Sequence, residues 1–214
     1  MAVDPIRAVL WDFGGVILSS PFEAFNRYEA RAGLPRDFIR GLNATNPDTN
    51  AWAKFERSEV SFDEFCMLFE GEATAAGRTL NAREVMPLLA GELRPQMVEA
   101  LRQCREHGFK TAMLTNNVVG FGDARQSAGR HNGVIELFDV VVESSKVGVR
   151  KPDPRFYEMA CALLEITPRE AVFLDDLGVN LKPAKALGMT TIKVGDPDVA
   201  IKELEDVLGC TLRR

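Results

Sequence analysis

Ala8-Val9-Leu10-Trp11-Asp12-Phe13-Gly14-Gly15-Val16-Ile17-Leu18 is the stretch on which the fold turns. Four apolar residues stop abruptly at a carboxylate, two glycines follow, and the chain becomes apolar again. An apolar run of this length reads as a strand buried on both faces, here delivering an acid to its C-terminal end. The two glycines let the backbone turn sharply and approach a ligand closely. In open parallel sheets ligands bind just beyond the carboxyl ends of the strands, so Asp12 is expected to face a crevice.

Downstream of this strand, residues 22–90 carry helical signals and no convincing strand. Pro21 precedes a helix expected over 22–32, which Gly33 and Pro35 end. Asn43 to Asn50 reads as a polar turn. Phe62, Phe65, Cys66 and Phe69 recur at the spacing of one buried helix face, and Ser61 with Glu64 forms a capping box ahead of them. The block holds eight Lys/Arg against eleven Asp/Glu, so it is no basic docking surface.

From Gly91 helices alternate with short apolar runs. A helix is expected over 95–107, strands over 109–115 and 138–143, and a helix from Pro154, capped by Asp153, to about Glu165. Val172-Phe173-Leu174 is the next strand and ends in Asp175-Asp176. A helix near 179–187 stops at Gly188, and Thr190 to Val194 makes a fifth strand. This alternation predicts an α/β fold with a parallel, doubly wound sheet.

The bulk properties narrow the function. A length of 214 residues suits one domain, or a core with a smaller insertion. A net charge of −5 argues against nucleic-acid binding, which needs clustered Lys and Arg. No apolar run approaches the ~18 residues of a membrane span. No basic segment followed by a long apolar one stands at the N-terminus, so no secretory signal is expected. Cys66, Cys104, Cys161 and Cys210 are far apart and read as reduced thiols of a cytoplasmic protein.

Polar groups converge at four strand ends or the turns after them: Asp12, Thr115-Asn116, Lys151 and Asp175-Asp176. Carboxylates with a lysine and a hydroxyl suit phosphoryl chemistry. A carboxylate can attack phosphorus, a hard dication can neutralise phosphate charge, and the lysine and hydroxyl can donate to the transferring oxygens.

These residues, in this order, resemble the four motifs of the haloacid dehalogenase superfamily. The resemblance implies that Asp12 is the nucleophile and that Thr115 binds phosphate; Asn116 beside it is a further candidate for phosphate or, since Asn suits turns, for holding the loop. It implies that Lys151, in Arg-Lys-Pro-Asp-Pro-Arg-Phe-Tyr, steadies both nucleophile and phosphate. Asp12, the Gly14 backbone carbonyl and Asp176 are then Mg²⁺ ligands, with Asp175 and Asn180 in support. Asp-Phe-Gly-Gly-Val, Leu-Thr-Asn-Asn and Phe-Leu-Asp-Asp-Leu-Gly-Val-Asn-Leu-Lys-Pro-Ala look like the subgroup containing the phosphatase domain of soluble epoxide hydrolase. Similar domains occur in acyl-CoA dehydrogenase fusions and in bacterial alpha-glucose-1-phosphatases. The implied architecture is a Rossmann-like three-layer core, 1–18 and 91–214, with an all-helical cap of the C1 type over 19–90. The implied activity is Mg²⁺-dependent hydrolysis of a small-molecule phosphomonoester.

One position departs from the pattern. Phosphatases of this superfamily usually carry a second Asp two residues after the nucleophile, as general acid for the leaving group; here Gly14 stands there, as in some alpha-glucose-1-phosphatase relatives. A hydrolytic dehalogenase is the alternative enzyme, and Gly14 is compatible with it. Family dehalogenases, however, characteristically carry an aromatic residue there and replace the acidic pair with Ser-rich sequence. A non-catalytic phospho-ligand-binding domain is the alternative outside catalysis.

Overall fold

The computed structural model describes residues 5–117 and 133–213. Five strands form one parallel sheet: β1 (Ala8–Trp11), β2 (Lys110–Thr115), β3 (Val140–Glu143), β4 (Ala171–Asp175) and β5 (Thr190–Lys193), in the spatial order β3-β2-β1-β4-β5. The apolar run that ends in Trp11 therefore lies in the middle of the sheet. Successive side chains of a strand face opposite ways. Val9, Trp11, Met113, Val172 and Leu174 pack with α6 (Pro95–Glu106) and α10 (Pro197–Leu208). Leu10, Ala112, Leu114 and Phe173 pack on the other face with α8 (Pro154–Leu164) and α9 (Gly178–Ala186). Two helical layers thus enclose the sheet, and β1 is buried along its whole length.

Residues 22–89 are helical and have a core of their own. Four of their helices are α1 (Phe22–Ala32), α2 (Phe38–Ala44), α3 (Ala51–Glu56) and α4 (Phe62–Ala75), followed by the short α5 (Ala82–Val85). The Ser61–Glu64 capping box is formed in full. Phe65 stacks on Phe69 and Phe55, with centroids 5.4 and 4.6 Å apart, and Trp52 meets both Phe65 and Phe69 edge-on. Each such pair adds about 0.5–1.5 kcal/mol to the burial of its rings. The two chain segments joining these helices to the sheet run together: Leu18 bridges Leu93, and the Ser19 N–H donates to Glu92 O at 2.8 Å.

The structure corrects the sequence reading in two places. Helix α2 runs through Asn43 to Ala44, so the expected polar turn begins later. Asn50 does not merely end that turn. Its side chain accepts from the Ala53 N–H and donates to the Asn43 and Thr45 carbonyls, which makes it the cap joining α2 to α3. Helix α10 was not anticipated, although Asp196 caps it and Pro197 opens it. Parallel pairing of β2 with β3 requires a crossover between them, and residues 118–132 of that connection lie outside the described residues. No described helix is long and apolar enough to cross a membrane.

Candidate active site

Parallel pairing aligns the carboxyl ends of the strands. Trp11 is in register with Met113 on β2 and with Leu174 on β4, so Asp12 emerges beside Asp175, with Thr115 close by. The Asp12 N–H donates to Leu174 O at 2.9 Å. Its carboxylate Oδ1 accepts from the Phe13 N–H at 2.6 Å and lies 2.9 Å from Lys151 Nζ. Lys151 is 1% exposed, and its ammonium also donates to Asp175 Oδ2 at 2.8 Å. Asp175 is itself fully held: Oδ1 accepts from the Leu177 N–H, and Asn180 Nδ2 reaches both oxygens at 3.1 and 3.0 Å. Asn180 thus holds the Asp175 carboxylate in place.

Electrostatics sharpen the arrangement. Asp12, Asp175 and Asp176 offer carboxylate oxygens that all lie within 4.8 Å of one another. Burial pushes the Asp12 carboxyl well above its usual range; Lys151 opposes this, and the charges of Asp175 and Asp176 add to it. Asp176 is pushed up to about 6, chiefly by burial and then by Asp175. Burial works against the Lys151 ammonium, but the Asp12 and Asp175 charges outweigh it and raise its pKa. Three carboxylates against one lysine leave the cluster with excess negative charge, a set of hard oxygen donors suited to a divalent cation.

The two glycines have different roles. Gly15 has φ +81°, and a Cβ there would fall 2.3 Å from Asp176 Oδ2, so only glycine lets this turn lie against the acidic pair. Gly14 is exposed, has φ −73° and ψ 127°, and has no atom within 4 Å of a Cβ built on it. Any residue could occupy that backbone; no proton-donating side chain does.

Thr115 ends β2 in register with Glu143 and is buried. The Asn116 side chain holds the loop that carries Lys151. Its Nδ2 donates to the Lys151 carbonyl at 3.0 Å, and its Oδ1 accepts from the Lys151 N–H at 2.9 Å.

Several contributors were not legible beforehand. Arg94 donates to Gly15 O at 2.7 Å and bears electrostatically on Asp176. Asn117 donates from Nδ2 to the buried Glu143 Oε1 at 2.8 Å and accepts from Ser145 Oγ at 2.8 Å, which anchors the loop after Thr115. A carboxylate ending the apolar run Val140-Val141-Val142 was the one sequence signal for this network. Arg94 had none, because its partner lies 79 positions away.

Comparison with known proteins agrees with this geometry. A family model described as haloacid dehalogenase-like hydrolase matches residues 6–188. The chain is 37% identical over 212 residues to acyl-CoA dehydrogenase family member 10 of Mus musculus, covering 96% of this chain and 19% of that protein. It is 32% identical over 221 residues to bifunctional epoxide hydrolase 2 of Sus scrofa, covering 97% of this chain and 40% of that one. The chain therefore spans less than half the length of either relative. Sesquiterpene phosphatase astK of Aspergillus oryzae is similar from end to end, 28% identical over 207 residues, with 95% and 97% covered. Among solved structures, a HAD-like family hydrolase from Porphyromonas gingivalis matches with a TM-score of 0.69 at 23% identity, covering 95% of this chain and 98% of that one.

Proposed function

The chain belongs to the haloacid dehalogenase-like hydrolases, and from that premise we propose that it is a Mg²⁺-dependent phosphomonoester hydrolase acting through Asp12. The observation that carries this reading is Lys151 Nζ between Asp12 and Asp175, inside a cluster of three carboxylates. Asp12, Asp176 and the Gly14 carbonyl would hold the metal. Bound Mg²⁺ would offset the negative charge of the cluster and of the phosphoryl oxygens.

The Asp12 carboxylate attacks phosphorus. An aspartyl O–P bond forms as the P–O bond to the leaving group breaks, and the leaving oxygen takes its proton from solvent, since Gly14 offers none. Water then attacks the acyl phosphate, releases inorganic phosphate and restores Asp12. Lys151 holds Asp12 as the carboxylate and donates to the phosphoryl oxygens, and Thr115 contributes a hydroxyl donor. Asp175 keeps Lys151 aimed and charged. Residues 19–90, with the helices of 22–89, act as a cap that bounds access to the strand ends, and small phosphorylated molecules are the substrate class.

Hydrolysis of p-nitrophenyl phosphate by the purified protein, with Mg²⁺ and then with excess chelator, tests the reading. Turnover that depends on the metal is expected. Undiminished turnover in chelator, or none with Mg²⁺, overturns it.

A further inference from the structure

Lys151 is held from the sheet side by Asn116, but the residue just before it reaches the other way. The Arg150 guanidinium lies against two groups of the helical segment. Its Nη1 donates to Pro47 O at 2.8 Å, and its Nε stands 2.7 Å from Glu56 Oε2. Both side chains of this ion pair are largely buried, 21% and 16% exposed. On the same face Ser58 Oγ donates to Ser145 O at 3.0 Å, and α3 also packs against Ser144–Val147, the short helix α7. Glu56 is the last residue of α3, and Trp52 and Phe55 of that helix are built into the aromatic core of the segment. Glu56 therefore moves with that core and not by itself.

We propose that Arg150 is a positioning residue. Through Glu56 and Pro47 it ties the docking of the helical segment to the placement of Lys151, so that the lysine bridges Asp12 and Asp175 in register only while the segment is seated. The inference rests on the reading of Lys151 as the group that serves Asp12 and phosphate. The physical reason is the desolvated pair: each charge, once buried, is tolerated only beside the other, so separating the segment from the sheet strands both. Arg150 and Lys151 are neighbours along the backbone, so a shift of one moves the other.

The test uses Glu56→Gln, Arg150→Met and the double variant, assayed on p-nitrophenyl phosphate with Mg²⁺ and followed by hydrogen exchange in the absence of substrate. Each single change is expected to lower kcat about tenfold or more with KM changed less than about threefold. Both should speed exchange in 51–58 and in 144–151 together. The double variant should be no worse than the weaker single one, because both changes break one pair. Arg150→Lys, which keeps the charge but cannot hold Glu56 and the Pro47 carbonyl together, should fall between wild type and Arg150→Met; it serves as the readout if the others unfold. Unchanged kcat, losses that multiply in the double variant, or faster exchange confined to 51–58 would overturn the proposal. The exchange experiment needs no turnover, so it still decides the coupling if the aryl phosphate is not hydrolysed.

Discussion

The Asn116 side chain closes on the main chain of Lys151 as a peptide group would, donating to its carbonyl at 3.0 Å and accepting from its N–H at 2.9 Å. The residue after Thr115 is thereby committed to the backbone that presents the lysine. Asn116→Ala leaves both backbone groups unpaired beside a buried ammonium, and Asn116→Asp sets a carboxylate against the Lys151 carbonyl. Either should lower kcat about 10- to 100-fold through a misplaced lysine. KM for p-nitrophenyl phosphate should change little. A rise in KM at constant kcat would instead make Asn116 a phosphate ligand.

Asp12→Asn keeps the shape of the nucleophile and removes its charge. Turnover should vanish. The fold should persist, because the strand bond from the Asp12 N–H to Leu174 O does not depend on the side chain. Residual turnover near the wild-type level would end the covalent mechanism.

Gly14→Asp is accommodated. With φ −73° and no atom within 4 Å of the new Cβ, the substitution meets neither backbone strain nor a clash. It places a carboxyl where a leaving group would need a proton. General acids typically contribute about 10²–10⁴-fold, so kcat/KM for alkyl phosphates should rise by about tenfold or more, and for aryl phosphates by much less. Equal effects on both would show that no proton donor is lacking. Gly15→Ala is the contrast, since its Cβ would collide with Asp176.

Asp176 is expected to cost stability when the protein is free of metal. Burial raises its pKa from 3.8 to about 6, so the folded chain holds this proton more tightly than the unfolded one. Its contribution is therefore most favourable below pH 3.8 and declines as the pH rises to about 6. The loss by pH 7 is about 3 kcal/mol as a ceiling, since the side chain keeps some exposure. Asp176→Asn should accordingly be more stable than wild type in chelator at pH 7 and similar to it near pH 4, by urea midpoint. In excess Mg²⁺ the order at pH 7 should reverse, because only the wild type gains from binding the ion. Greater wild-type stability in chelator at pH 7 would contradict this.

What the sequence determined by itself was everything carried by neighbours along the chain. The apolar run of β1 and its terminal Asp12, the Ser61–Glu64 capping box, the α1 limits at Phe22 and Ala32, and the acidic end of β4 all stand where the residues indicated. Each depends on periodicity or on a cap only a few residues long. Helix α10 belongs to the same class, since Asp196 and Pro197 are a cap and a first-turn proline side by side.

Tertiary structure alone decided who faces whom. Residue types and spacing marked Asn116 and Lys151 as one site, but not that the amide would close on both backbone groups of the lysine. Nothing near Glu56 announced Arg150, and the two glycines looked alike until one showed φ +81° and the other −73°. Hydrogen bonds and ion pairs act over about 3 Å and demand orientation, whereas the patterns legible in a sequence place a residue on a strand end or helix face and leave its partner open. That choice belongs to the packing of the sheet, its helices and the helical segment above them.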